Sequence, residues 1–440
     1  MPLKRIYLLP VIALIGFSYT AYADTLLEVY QAAKIKDPTI LTSKAEYDLY
    51  AEKISEATGA LLPQLSLSAD VAGYNSSSND NTGTTYSNYG ATLSLSQSLY
   101  NSSYWQSLNI AEKQAQQYAV DYEYAAQDLI LRTATAYFDV LRAGEAVRSV
   151  KANKRAVERQ LDQIKQSFDV GLIDITDVHE AQAEFDSTIA DEIIAENDLL
   201  NAYYILKELT GEDISHIAFL NIETFSPQKL EGDIKLWRNK SLEHNLLLHS
   251  ERIAKDIAKM NIELAQAGHK PTLSLTGSLD YDDTQYDNDS ANSDSHSSSA
   301  IIGLTLNVPL YAGGQVTSQV KQAQYDYVIA SQKFTETYRT ISTEISSSYS
   351  NVYASISSIK AYTQTVVSSK SALDAVEAGY EVGTRTTVDV LEATQSLYDS
   401  EKNLADARYD YIINILTLKS SVGMLTEQDL VDISAGLIEK

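Results

Sequence analysis

Apolar and polar residues alternate along four short segments of this chain and follow a helical spacing along two very long ones. Leu65, Leu67, Ala69 and Val71 alternate with Ser66, Ser68, Asp70 and Ala72, and Leu93, Leu95 and Leu99 alternate with Thr92, Ser94, Ser96 and Ser98. Further on, Leu273, Leu275, Leu279 and Tyr281 face away from Thr272, Ser274, Thr276 and Asp280. Ile302, Leu304, Leu306, Val308 and Leu310 interleave with Gly303, Thr305 and Asn307. A strand turns successive side chains to opposite faces. The spacing therefore predicts strands over about 63–74, 90–99, 271–281 and 300–310, each with one apolar and one polar face.

The long segments lack helix breakers. No Pro or Gly occurs over 315–378, and only Gly144 interrupts 101–170. Val316, Val320, Ala323, Tyr327, Ala330 and Phe334 alternate steps of four and three, the seam of a coiled coil, and Ile341, Ile345, Val352, Ile356 and Ile359 continue it with drift. Helices are predicted over about 101–169 and 315–379, each reaching on the order of 100 Å. After a short turn each leads into a second helix, about 174–210 and 386–420. Ala and Ser beside the seam suit helices packed on more than one side.

These elements occur twice. Phe168-Asp169-Val170-Gly171 followed by Thr176-Asp177-Val178-His179-Glu180-Ala181 returns about 212 residues later as Tyr380-Glu381-Val382-Gly383 followed by Val388-Asp389-Val390-Leu391-Glu392-Ala393. Pro63-Gln64-Leu65-Ser66-Leu67 answers to Pro271-Thr272-Leu273-Ser274-Leu275, and Leu99-Tyr100 to Leu310-Tyr311. The chain thus divides into a leader, 1–23, a first repeat, 24–230, and a second, 231–440, which ends in a C-terminal equatorial segment.

The leader has the form of a secretory signal: Lys4 and Arg5, an apolar stretch over 6–17, and Ala21-Tyr22-Ala23 before Asp24. It is too short to span a bilayer, and nothing later supplies 18 consecutive apolar residues. With no Cys, the chain has neither disulfide nor lipid-acceptor thiol. Its 59 acidic residues against 34 Lys and Arg argue against a nucleic-acid partner.

Residues 75–88 and 282–299 are almost wholly Ser, Asn, Asp, Thr and Tyr and read as solvated hairpin loops. Aromatic residues gather near the strand ends: Tyr74, Tyr86, Tyr89, Tyr100, Tyr104 and Trp105, then Tyr281, Tyr286 and Tyr311. With 30 Tyr in the chain some clustering follows from abundance alone. An interfacial girdle, with Tyr100, Trp105, Tyr281 and Tyr311 as its members, accounts better for clusters that flank lipid-length strands.

Ten-residue alternating strands without a spanning helix fit an outer-membrane barrel, yet four strands cannot close around a lumen, and an open edge is excluded from lipid. Three copies would supply twelve strands, enough for a water-filled pore. The fold class expected is an α+β membrane protein: a homotrimeric twelve-stranded β-barrel, four strands per chain, continued by a long periplasmic α-helical barrel with coiled-coil packing. A periplasmic coiled-coil adaptor or scaffold without a pore is the alternative. It would share the long helices but not two matched hairpins of lipid-length strands. A general diffusion porin needs more strands per chain.

The chain resembles the TolC family of outer-membrane efflux and type I secretion channels. The residues that carry the resemblance are Leu61-Leu62-Pro63-Gln64-Leu65, Tyr137-Phe138-Asp139-Val140-Leu141, Gln160-Leu161-Asp162-Gln163, Val170-Gly171-Leu172 with Ile175-Thr176-Asp177-Val178, Val320-Lys321-Gln322-Ala323-Gln324-Tyr325, and Glu377-Ala378-Gly379-Tyr380 through Val382-Gly383-Thr384-Arg385-Thr386, spread over 24–433. The resemblance implies an exit duct in the Gram-negative outer membrane, its helical barrel projecting into the periplasm. It also implies a periplasmic adaptor and an inner-membrane pump of RND, ABC or MFS type as partners, together with outer-membrane lipid. No cofactor is expected, because the pump supplies the energy.

Asp389 and Glu392 stand three apart and share a helix face. Acids in a first helical turn also complement the helix dipole, and a lone pair needs no further explanation. The resemblance implies more, a ring of carboxylates that selects cations at the periplasmic entrance, with titration raised and coupled by crowding. The family pattern carries Asp at both positions, so Glu392 is a departure that keeps charge and changes reach. The resemblance also implies that Tyr380 and Arg385 bond to Thr176 and Asp177 and hold the entrance shut. An exposed ion pair alone contributes only about 0–1 kcal/mol. Gly171 and Gly383 read locally as helix C-caps. The resemblance makes their turns, Val170-Gly171-Leu172 and Val382-Gly383-Thr384, the tips met by the adaptor. Catalysis is not expected: the six His residues show no metal-ligand spacing, and no phosphate loop or nucleophile elbow is present.

Overall fold

The computed structural model describes residues 24–76, 84–287 and 293–438; the expected leader and the centres of the two polar loops lie outside them. Helix α1 (Leu26–Lys36) opens on a capping box between Thr25 and Glu28, and Asp37 caps α2 (Pro38–Gly59). Two strands follow, β1 (Gln64–Ser76) and β2 (Thr84–Tyr100), then α3 (Ser102–Asp169) of 68 residues and α4 (Ile175–Thr210). After β3 (Phe219–Leu220) the order recurs as α5 (Ile234–His244), α6 (Leu246–Ala267), β4 (Thr272–Asp287), β5 (Ser295–Asn307), α7 (Gln315–Glu381) of 67 residues and α8 (Thr387–Val422). Helix α9 (Glu427–Ser434) and β6 (Leu437–Ile438) end the chain, β6 pairing antiparallel with β3.

The four long strands form one antiparallel sheet in the order β1-β2-β4-β5. Its register puts Leu67, Leu93, Leu279 and Ala300 in one row and Ser68, Thr92, Asp280 and Ser299 in the next. Next to the helices one face is therefore apolar and the other polar except for Ile301, while toward the hairpin ends Asp283, Gln285 and His296 interrupt the apolar face. Among the described residues the outer edges of β1 and β5 have no partner strand.

The strands differ from expectation at their ends. β5 stops at Asn307, so Val308 and Leu310 lie outside the ladder; Pro309 has no N–H to donate. Residues 84–88, 282–287 and 295–299, expected as loop, extend the ladders instead. Polar side chains do not oppose strand pairing in water, and Tyr74, Tyr86 and Tyr286, directly opposite one another, add ring contacts there.

The helices pack as two pairs, α3 with α4 and α7 with α8, joined by α3 against α8 and by α6 against α3 and α7. In α7 the buried positions Ile341, Ile345, Ser348, Val352, Ser355 and Ile359 keep steps of four and three. The main core lies midway along, where Tyr30, Tyr137, Phe138, Leu141, Leu206, Ile345 and Leu416 are fully buried, each contributing about 1.5–3 kcal/mol through burial. The Tyr137 hydroxyl donates to the Ala218 carbonyl at 2.7 Å. Arg132 ties α3 to the start of α2 through both carboxylate oxygens of Asp37, 3.1 Å each. Burial would raise the Asp37 carboxyl, but the hydrogen bonds from Arg132 and the Ile40 amide outweigh it and hold it low. A smaller cluster of Leu161, Ile164 and Ala181 pins α3 to α4 near the far tip.

Candidate gate and selectivity site

Both helix pairs turn through the same device. The Gly171 N–H donates to the Phe168 carbonyl at 2.8 Å and the Leu172 N–H to Ser167 at 2.9 Å; the Gly383 N–H donates to Tyr380 and the Thr384 N–H to Gly379, 2.9 Å each. Gly171 and Gly383 adopt φ of 78° and 74°, which L side chains rarely take. The turns push apolar side chains outward: Val170, Leu172 and Val382 are 70%, 77% and 74% exposed. Beyond the turn the two pairs diverge. Helix α4 begins at Asp174 without a side-chain cap, whereas α8 begins with a capping box between Thr386 and Asp389.

That box occupies one of the two candidate selectivity acids. Asp389 Oδ2 accepts from the Thr386 amide at 2.7 Å and its hydroxyl at 2.8 Å, and Arg385 Nη1 lies 3.9 Å from Oδ1. The amide bond first, then the hydroxyl bond and the Arg385 charge, hold the Asp389 carboxyl below its ordinary range. Within one chain the shift is therefore opposite to the one that crowding implies. Glu392, one turn on, is exposed and makes no hydrogen bond or ion pair among the described residues. It lines a cavity of about 460 Å³ between α4 and α8, with Asp177, Glu180 and Glu184 on the α4 wall.

The structure brings Asp177 and Glu392 to one cavity but does not join the four expected gate residues. Among the described residues, no hydrogen bond links Tyr380 or Arg385 to Thr176 or Asp177 within the chain. Arg385 folds back on its own hairpin: a Cβ at Gly379 would lie 2.7 Å from Arg385 Cγ, so that glycine leaves room for it. Tyr380 lines a separate cleft of about 770 Å³ between α3 and the α7–α8 tip, opposite Arg159, Gln160 and Gln163.

At the other end of the molecule Tyr100, Trp105, Tyr281 and Tyr311 are all exposed. Tyr100, Trp105 and Tyr311 sit where strands meet helices. Tyr281 lies further along β4, opposite Ala91 on the apolar face. The gathered tyrosines do not all belong to one girdle. Tyr74, Tyr86 and Tyr286 have the strand parity of Ser68, Thr92 and Asp280 and stand on the polar face. Counting that parity from Leu67 separates them in the sequence.

Among the described residues no helix is long and apolar enough to cross a membrane, and no group of three or more His, Cys, Asp or Glu is placed to hold a metal ion. The family model described as "Outer membrane efflux protein" matches residues 29–212 and 237–424. Over 436 residues, 99% of each chain, the protein is 44% identical to "Outer membrane protein TolC" of Vibrio cholerae. It is 27% identical to "Proteases secretion protein PrtF" of Dickeya chrysanthemi, over 98% of this chain and 95% of that one. Among solved structures, the Campylobacter jejuni CmeC outer membrane channel superposes with a TM-score of 0.77 at 17% identity, covering 99% of this chain and 98% of the other.

Proposed function

This chain belongs to the outer membrane efflux protein family, and from that premise we propose how one copy contributes to a working duct. The protein is an outer-membrane channel, an exit duct for efflux and type I secretion, with its helical part in the periplasm. Its relatives are channels and not catalysts.

The observation that carries the assembly is the four-stranded sheet with one apolar face and two free edges. A free edge exposes unpaired N–H and C=O groups, each costing several kcal/mol in hydrocarbon. Pairing β5 of one copy with β1 of the next removes every edge if the ring closes, and three copies give a twelve-stranded barrel with the polar face inward. The helix pairs then form one tube. At its periplasmic end Asp389 and Glu392 from each copy encircle the entrance, and Tyr380 and Arg385 reach Thr176 and Asp177 across it. Arg385 rests on its own hairpin when alone, which fits a partner supplied by another copy. The exposed tips around Gly171 and Gly383 meet a periplasmic adaptor, which couples the duct to an inner-membrane pump of RND, ABC or MFS type.

Light scattering of the detergent-solubilised protein should give the mass of three chains, and planar bilayers should show small cation-selective currents. Arg385→Ser should raise the unit conductance. A non-conducting single chain would overturn the assembly.

A further inference from the structure

The polar face of the sheet changes character toward the hairpin ends. Next to the helices it is lined by Ser66, Ser94 and Ser274. Further along, the Asp280 carboxylate is fixed by three hydroxyls, accepting from Thr92 at 2.9 Å, Ser278 at 2.8 Å and Ser299 at 3.2 Å. In the next row Asp70 and Asp282 flank Gly90. A Cβ on Gly90 would come within 2.5 Å of Asp70 Oδ1, so the missing side chain lets that carboxylate lie over β2. Four residues on, about 13 Å along the strand, Tyr74, Tyr86 and Tyr286 stand side by side. The first two rings stack at 4.8 Å and 18°, the second two meet at 5.3 Å and 42°.

No Lys or Arg occurs in any of the four strands. The face thus combines uncompensated negative charge with aromatic rings, and no cation of the sheet competes for either. Such a surface recognises a cation that carries an apolar body: the acids supply long-range attraction, and the rings supply cation–π and apolar contact. An inorganic cation, strongly hydrated, gains no apolar contact from the rings, and a neutral aromatic gains no attraction from the acids.

We propose that Tyr74, Tyr86 and Tyr286 form an organic-cation site at the outer mouth of the pore, backed by Asp70, Asp280 and Asp282, a second selectivity zone at the opposite end from Asp389 and Glu392. It rests on the reading that the polar face lines the lumen.

The test uses the full-length protein in planar bilayers, with tetraphenylphosphonium added on the extracellular side and lanthanum on the periplasmic side as a control for the entrance. In the wild type tetraphenylphosphonium should block the current. Replacing all three tyrosines by Leu should raise its half-blocking concentration about tenfold, while replacing them by Phe, which keeps the rings, should leave it within about twofold. Lanthanum block, unchanged in both variants, would show an intact channel. Equal tetraphenylphosphonium block in wild type and Leu variant, or loss of that block in Glu392→Gln, would overturn the site. Absence of current from every protein, wild type included, would overturn the lumen reading and the site with it.

Discussion

Asp389 and Glu392 carry the same formal charge, but only one of them is free to meet a passing ion. Asp389 spends an oxygen on Thr386 and faces Arg385 with the other, whereas Glu392 has an extra methylene and, among the described residues, no partner. Asp389 is depressed in the folded state, so its contribution to the α8 cap is fully present above the unfolded value of about 3.9. It is lost only as pH falls through the lowered folded value. At neutral pH Asp389 is a fixed charge and a helix cap. Glu392→Gln is therefore expected to weaken lanthanum block more than Asp389→Asn, by about tenfold in half-blocking concentration. Asp389→Ala should instead loosen the first turn of α8, a capping loss that truncation series place near 1 kcal/mol, and read out as a noisier, leakier baseline. Equal loss of block in Glu392→Gln and Asp389→Asn would remove this division of labour. The shared face of the two acids is legible in their spacing; the unequal freedom is not. It depends on whether Thr386 or Thr387 ends the turn, a one-residue matter that periodicity does not resolve.

At the scale of elements, the two helix pairs are near copies whose tips have diverged in rigidity. The α7–α8 turn is tied by the capping box and by the Thr384 hydroxyl donating to the Gly379 carbonyl at 3.0 Å, whereas α4 starts without a side-chain cap. Both tips present apolar groups to water, at a cost that a docking partner would recover. Leu172→Asp and Val382→Asp should leave channel conductance and the mass of the assembly unchanged and abolish drug resistance in cells that depend on the proposed pump. Loss of conductance in either would move these residues from docking into the gate. The long helices were legible because Pro is absent, Gly is nearly so, and the seam is regular. The strand ends were less so: polarity marks residues 84–88 and 282–287 as loop, while the backbone ladder continues because nothing forbids it. Tyr86 is the residue that could have signalled this, lying in register with aromatic partners on both neighbours.

For the whole molecule, the proposed barrel turns the two faces of the sheet to different solvents, and substitutions on them should separate cleanly. Leu67→Arg places a charge on the apolar face and should cost about 2–4 kcal/mol per chain near the bilayer midplane, seen as loss of protein from the outer-membrane fraction. Ser68→Arg, one residue on, should insert normally and lower the cation preference measured by reversal potential. Similar insertion of both would contradict the assignment of the faces. The alternation of Leu67 with Ser68 and the repeat of both hairpins make the four-stranded, two-faced sheet legible in the sequence. The contacts proposed to shut the entrance are not made within one chain, where Arg385 lies near Asp389 and over Gly379.

The unpartnered edges of β1 and β5 also set an order of events during biogenesis. The helical core is buried within one chain, through contacts that a single copy can make, while Ile193, Ile194, Tyr325 and Ile329 on the helices stay exposed. The sheet has nothing to close on until other copies arrive, and in the meantime it carries an apolar face and two sticky margins through the aqueous periplasm. Maturation should therefore proceed from a packed helical core to a waiting sheet that needs a holdase. The final insertion step should depend steeply on how many chains are present at once, so that a cell making too little of this protein would accumulate half-finished molecules instead of fewer finished ones.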